Sequence, residues 1–151
     1  MRTEDKQLFL AMNKVEILGL CILMEAGTES YEGKVAVGSV VLNRVDHPGW
    51  GWGNSIHTVI MKPYQFSWLN TKPPQKVTDP QYAKAVKIAR QFGETEFPGL
   101  DNCCMIADSL LSGETKRNVR AMHYYADYIK APDWAAKMKV EAKIGRHIFL
   151  I

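Results

Sequence analysis

The sequence has few cysteines and no long hydrophobic run. Its three cysteines, Cys21, Cys103 and Cys104, are an odd number without metal-site spacing, which fits a reducing compartment and argues against a disulfide framework. No apolar run reaches the roughly 18 residues needed to cross a bilayer, so we expect no membrane insertion. Acidic residues flank the apolar stretch 15–24, and no clean small-residue cleavage site follows it. We therefore expect no secretory signal.

Linkers, repeats and low-complexity tracts are also missing. The 151 residues, 46% hydrophobic and 23% charged, therefore predict one globular domain, 1–151. The net charge is +3, and from residue 113 onward eight Lys and Arg face four Asp and Glu. Such a surface suits a polyanionic partner, for example nucleic acid, an anionic cell wall or a membrane surface. An ordinary solvated surface explains so few charges equally well.

Apolar periodicity predicts a mostly helical chain with a small sheet near its end. A stripe with steps of three or four residues predicts one helix over residues 5–26. The other helices are predicted from a Ser30 cap to about Val45, from Ser55 to Met61, from Asp79-Pro80 to about Phe92, and over 100–112. Residues 47–54 predict a loop, and 62–74 an irregular or short extended stretch. Residues 121–129 and 137–151 predict antiparallel strands, with a turn at 144–146. The fold class is α+β.

Glu25 lies on the apolar stripe, in the last turn of the first predicted helix. Burial and the negative end of the helix dipole both raise the pKa of a carboxyl group. A carboxylic acid that is protonated near neutral pH is what general-acid cleavage of a glycosidic bond requires. The alternative is a helix that frays before Glu25 and leaves it in water. Glu29, beyond Gly27, is either a second active-site group or a hydrogen-bond acceptor for the backbone at the start of the next helix.

Residues 24–45, MEAGTESYEGKVAVGSVVLNRV, resemble the signature of the spore cortex-lytic, SleB-type cell wall hydrolases. Further family motifs follow in order, namely Gln65-Phe66-Ser67, His123-Tyr124-Tyr125, Trp134-Ala135 and residues 144–149. The chain departs from the pattern at Met24, at Thr28 and in the linker 70–80. The resemblance implies a lysozyme-like domain that cuts glycan strands between N-acetylmuramic acid and N-acetylglucosamine. It makes Glu25 the catalytic glutamate and Glu29 the second glutamate of the signature.

Substrate contacts are predicted in the later motifs. The six predicted substrate-binding residues are Gln65, Phe66, Ser67, His123, Tyr124 and Tyr125. The amide of Gln65 can both donate and accept hydrogen bonds with sugar hydroxyl and acetamide groups. Aromatic rings, including that of Trp68, offer apolar faces to sugar rings. On an alternating strand His123 and Tyr125 share one face and Tyr124 lies on the other, so at most one face lines a cleft.

The number of carboxylates decides between two reactions. Both common routes of glycoside hydrolysis use two carboxylates. In this sequence no second carboxylate is as well placed as Glu25. One glutamate suffices in a lytic transglycosylase, in which the muramic acid C6 hydroxyl group attacks the anomeric carbon, and the resemblance points the same way. The alternative is a muramidase that uses Glu25 and Glu29.

Other classes of function have weaker support. A non-catalytic glycan- or nucleic-acid-binding module could use the basic and aromatic residues of 116–130, although no nucleic-acid motif accompanies them. A cysteine peptidase would need Cys103 or Cys104 with His123. The four histidines lack zinc-ligand spacing, so we expect no metal, and we also expect no organic cofactor. We expect a monomer that acts on peptidoglycan and binds no specific nucleic acid. The setting indicated is a phage endolysin, which stays in the host cytoplasm until release and then acts on the periplasmic or cell-wall peptidoglycan.

Overall fold

The computed structural model describes residues 1–63, 65–69 and 79–151. The helices in this part are α1 (Thr3–Ala11), α2 (Lys14–Ala26), α3 (Tyr31–Val45), α4 (Ile56–Met61), α5 (Pro80–Arg90) and α6 (Leu100–Ser112). The strands are β1 (His123–Ala126), β2 (Val140–Ile144) and β3 (His147–Leu150), and short 3-10 turns cover Pro48–Trp50 and Asp133–Lys137. A helical body with a small antiparallel sheet near the C-terminus confirms the predicted α+β class.

The single helix predicted over residues 5–26 is wrong, because the chain bends by 115° between α1 and α2. Met12 adopts an extended conformation with ψ 143°. The side chain of Asn13 accepts a hydrogen bond from the Glu16 backbone N–H, and the Glu16 side chain accepts one from the Asn13 backbone N–H, both at 2.8 Å. This reciprocal capping box begins a new helix at Lys14. The apolar stripe continues across the break and hides it from a periodicity analysis.

The remaining predicted helices are confirmed, with small differences at their ends. Ser30 caps α3 by accepting the Gly33 N–H, and Asp79 caps α5 by accepting the Gln81 N–H. Helix α5 ends at Arg90, two residues before the predicted end. Of the stretch 62–74, predicted as irregular or extended, Tyr64 and residues 70–74 lie outside the described residues, and 65–69 form bends and turns.

Helices α2 and α3 form the centre of the main apolar core, and α6 packs closely on both. A Cβ atom at Gly19 of α2 would lie 2.5 Å from Sγ and 2.9 Å from Cα of Cys104. A Cβ atom at Gly38 of α3 would lie 2.6 Å from Cδ1 of Leu110. At Gly19 the approach of the Cys104 backbone requires glycine, whereas at Gly38 a larger residue would require the Leu110 side chain to move. The packing fixes the direction of α2 and therefore the place of Glu25 at its end.

The sheet has the order β1-β3-β2, and both pairs are antiparallel. Tyr124 pairs with Phe149 across β1 and β3, and a bulge lies between Val140 and Ala142 of β2. A second apolar cluster joins the sheet to α3 and to the end of α2 through Ala26, Ala36, Val37, Val40, Val119, Ala121 and Phe149. Gly145, at φ +57°, makes the predicted turn between β2 and β3.

Two side chains of α3 hold the backbone that leads into β1. Asn43 Nδ2 donates hydrogen bonds to the carbonyl oxygens of Val119 and Ala121, both at 3.0 Å. Arg44 Nε donates to the carbonyl oxygen of Met122 at 2.8 Å. These bonds satisfy buried carbonyl groups and fix the position of β1 beside the end of α2.

No single helix in the described residues is both long and apolar enough to cross a bilayer; α1 and α2 pass that test of length and composition only as a bent pair.

Candidate active site at Glu25

Glu25 and Tyr124 meet where the end of α2 faces β1. The Tyr124 hydroxyl group donates a hydrogen bond of 2.6 Å to Glu25 Oε1. The two residues are 99 positions apart in the sequence, so the contact depends on the packing of the sheet against α3. Glu25 lies in the last turn of α2, as predicted.

Burial raises the pKa of Glu25 to about 7, while the hydrogen bond from Tyr124 and the positive charge of Arg44 both lower it. Part of the Glu25 side chain nevertheless reaches solvent. The carboxyl group is therefore mostly surrounded by protein, while its side chain keeps partial contact with solvent. Such a group is protonated in a large fraction of molecules near neutral pH and can donate that proton to a bound substrate.

Tyr124 is held in place by two rings of β3. Its ring centre lies 5.0 Å from that of His147 and 5.4 Å from that of Phe149. Burial, followed by the charge of Glu25, raises the pKa of Tyr124 well above its usual value. The hydroxyl group therefore keeps its proton and stays a hydrogen-bond donor to Glu25. The predicted sugar contact of Tyr124 stays a prediction, because the structure places its hydroxyl group on Glu25.

Glu29 lies at the turn between β2 and β3. Its Oε1 accepts the Arg146 backbone N–H at 2.8 Å and lies 3.6 Å from Nδ1 of His147. A Cβ atom at Gly145 would lie 2.9 Å from the same oxygen. The hydrogen bond to backbone was predicted at the start of the next helix, whereas the structure shows it at the distant turn between β2 and β3. Its catalytic function stays a prediction.

His123 and Tyr125 lie on the opposite side of β1 from Tyr124, as strand alternation predicted. The His123 ring centre is 5.1 Å from that of Trp52 and 5.3 Å from that of Trp134, and Tyr125 is 6.2 Å from Trp134. A cavity of about 270 Å³ opens beside His123 and Trp50. Sugar contacts by His123 and Tyr125 stay predictions, and they would lie across the strand from the Glu25 carboxyl group.

The prediction that Phe66 contacts sugar is contradicted by its burial. Phe66 and Trp68 are each 1% exposed, so neither ring offers a free face. Phe66 packs below the guanidinium group of Arg44, at 5.5 Å from the ring centre. Its neighbours Gln65, which is half-buried, and Ser67, which is exposed, are accessible, and their sugar contacts stay predictions.

Arg44 and Trp52 were not predicted as site residues. The Arg44 guanidinium group lies 4.2 Å from the ring centre of Trp52, and its charge acts on Glu25. Arg44 belongs to the family signature, but its sequence position alone predicted no function for it. The signal was the same as for Glu25, a charged residue in an otherwise apolar helix.

The cysteines show no activation. All three are free, and Cys21 and Cys103 are buried. Burial raises the pKa of Cys104 to about 11, which disfavours the nucleophilic thiolate. The structure therefore gives no support to a cysteine peptidase. Within residues 1–63, 65–69 and 79–151, no three His, Cys, Asp or Glu side chains form a group that could hold a metal ion.

Most of the chain matches the model of a known protein family. A family model described as a cell wall hydrolase matches residues 28–150. The chain belongs to the cell wall hydrolase family. The expectation of an enzyme that degrades the bacterial cell wall is thereby confirmed at the level of the family. The match begins three residues after Glu25, so the assignment of this residue in the present cell wall hydrolase depends on the geometry described above.

Structural comparison supports the same fold. The hydrolase is similar to the catalytic domain of the germination-specific lytic transglycosylase SleB from Bacillus anthracis, with a TM-score of 0.60 and 21% identity. The similarity covers 100% of this chain and 97% of the other. No curated protein sequence matches the chain. The shared fold confirms the predicted architecture.

Proposed function

We propose that this cell wall hydrolase is a lytic transglycosylase that cuts the bond between N-acetylmuramic acid and N-acetylglucosamine, with Glu25 as acid and then base. The observation that carries the proposal is a partly reachable carboxyl group with a pKa of about 7 that holds a hydrogen bond from Tyr124. The name of the structurally similar domain and the family resemblance support the same reaction.

In the first half of the reaction, protonated Glu25 donates its proton to the glycosidic oxygen while the bond from this oxygen to the muramic acid C1 atom breaks. The N-acetylglucosamine side leaves with a new hydroxyl group. The muramic acid O6 atom then bonds to C1, and the O6 proton passes to the Glu25 carboxylate. The product is a 1,6-anhydromuramoyl end, Glu25 regains its proton, and no water is consumed.

The groups near Glu25 favour this route over hydrolysis. The charged or hydrogen-bonding groups that alter its pKa are Tyr124 and Arg44, and no carboxylate of the described residues is among them. A carboxylate within about 6 Å would raise the pKa by repulsion. Glu29, the candidate nucleophile of the alternative muramidase, is engaged by the Arg146 N–H. These observations support a single catalytic carboxyl group.

The mass of the released muropeptides tests the reaction. Purified peptidoglycan is digested, and the fragments are analysed by mass spectrometry without reduction. We expect anhydromuramoyl ends, whereas a muramidase would give reducing ends heavier by one water, about 18 mass units. Glu25→Gln should abolish clearing of embedded peptidoglycan in a gel. Clearing at the wild-type level by this variant would contradict a catalytic Glu25, and absence of clearing by folded wild-type protein would favour a binding module.

We propose, for the biological setting, a monomeric phage endolysin that accumulates in the host cytoplasm and attacks peptidoglycan after release. The net charge of +3 suits an anionic wall. The test is expression inside a bacterium with and without a membrane-perforating protein. Lysis is expected only when the membrane is opened, and lysis by the hydrolase alone would contradict this setting.

A further inference from the structure

Arg44 is a buried cation without an acidic partner. It is 5% exposed, and no ion pair joins it to Asp or Glu in the described part of the chain. The segments outside that part contain no Asp or Glu. One guanidinium nitrogen, Nη1, is buried without a hydrogen-bond partner among the described residues. Burial of an unpaired charge is costly, so a function that needs the charge would explain its presence.

The contacts of Arg44 hold its guanidinium group beside the backbone that leads to Tyr124. Nε is bonded to the carbonyl oxygen of Met122 at 2.8 Å, two residues before Tyr124. The guanidinium carbon Cζ lies 4.2 Å from the ring centre of Trp52, in the loop after α3, and 5.5 Å from that of Phe66. These contacts hold the guanidinium group in place. Neither the rings nor the carbonyl group carries a negative charge that would neutralise it.

The titratable groups around Glu25 come from three elements. Cys21 lies one turn earlier on α2, Arg44 comes from α3 and Tyr124 from β1. Glu25, Tyr124 and Cys21 all interact with the Arg44 charge. His123, on the other face of β1, is close enough for Arg44 to lower its pKa after burial has done so. Among the described residues, Arg44 is the cation that acts on Glu25.

We propose that Arg44 is a positioning residue for the reaction: it fixes the entry to β1, and its unpaired charge stabilises the Glu25 carboxylate that exists after the first proton transfer. The inference rests on the proposed function, because it requires Glu25 to cycle between its acid and carboxylate forms. Without the charge, the carboxylate would be less stable, and Glu25 would part with its proton less readily.

The test compares Arg44→Met and Arg44→Gln, which remove the charge, with Arg44→Lys, which keeps it. Arg90→Met, on the exposed surface of α5, is the control for a lost cation. Two quantities are measured against pH: kcat/KM on soluble glycan strands, and the ¹³C chemical shift of the Glu25 carboxyl carbon. Circular dichroism checks folding.

We expect the neutral variants to lose about tenfold or more in kcat/KM and to shift both titrations toward higher pH by about 0.5–1 unit. Arg44→Lys should lose rate, because it cannot reproduce the planar contacts, and its displaced charge should shift the Glu25 titration toward higher pH by less than the neutral variants do. Arg90→Met should behave as wild type. Folded neutral variants with an unshifted Glu25 titration would overturn the proposal. If neither neutral variant folds, Arg44→Lys decides: a Glu25 titration shifted toward higher pH by the displaced charge supports the proposal, and a titration identical to that of wild type overturns it. Wild-type activity of Glu25→Gln in the same assay would instead overturn the proposed function.

Discussion

Replacement of Glu25 by Gln should make the protein more stable at neutral and alkaline pH while it abolishes activity. Burial raises the pKa of Glu25 from 4.5 to about 7, so the folded state favours the protonated form. The stabilisation that Glu25 gives by holding this proton is fully present below the unfolded pKa of about 4.5 and is lost as pH rises through about 7. Gln does not ionise, and its amide oxygen can still accept the hydrogen bond from Tyr124.

The magnitude follows from the raised pKa. A rise from 4.5 to about 7 corresponds to about 3 kcal/mol at 1.36 kcal/mol per pKa unit. Because part of the side chain reaches solvent, water screens the charge, and we expect about 1–3 kcal/mol. The free energy of unfolding of Glu25→Gln minus that of wild type should therefore grow by this amount between about pH 4.5 and pH 8.

Urea unfolding followed by circular dichroism at several pH values measures this difference. Glu94→Gln, at an exposed position after α5, controls for loss of a surface charge and should show little change with pH. The pH dependence, rather than the value at one pH, is decisive, because the buried Gln amide can add a constant penalty. A difference that stays constant from pH 4.5 to 8 would refute the argument that burial destabilises the carboxylate.

Three further results are expected. The kcat/KM of wild type should fall on the alkaline side with an apparent pKa near 7, where Glu25 loses its proton; an additional acid limb that disappears in Glu29→Gln would instead favour the two-carboxylate muramidase. Tyr124→Phe removes a hydrogen bond that lowers the pKa of Glu25, so the alkaline limb should move to higher pH and kcat should fall about tenfold or more; an unmoved limb would contradict this. Gly145→Ala should lower the free energy of unfolding by about 1–3 kcal/mol, because the φ of Gly145 is +57° and the new Cβ would contact the Glu29 carboxylate. Calorimetry measures this change. Gly49→Ala is the matched control, because a Cβ atom at Gly49 would lie in open space.

Local signals explain which elements could be predicted. Helix α6 was predicted at its observed bounds, and Ser30 and Asp79 cap the helices that they were expected to cap. Caps and apolar periodicity act within about four residues, so they can be read along the chain. The capping box at Asn13 is also a local signal. The apolar stripe runs through it, however, and predicts one continuous helix.

The place of Glu25 in the last turn of an apolar helix could be predicted, since both the stripe and its position depend only on helical spacing. The surroundings of Glu25 could not, because they come from distant parts of the chain. The Tyr124 hydroxyl group comes from 99 residues away, and the Arg146 N–H that occupies Glu29 comes from 117 residues away. Burial of the Phe66 ring under Arg44 is decided in the same way. The reason is physical: a pKa depends on the atoms packed around a group in space, and those atoms belong to elements that meet only when the sheet docks on α3.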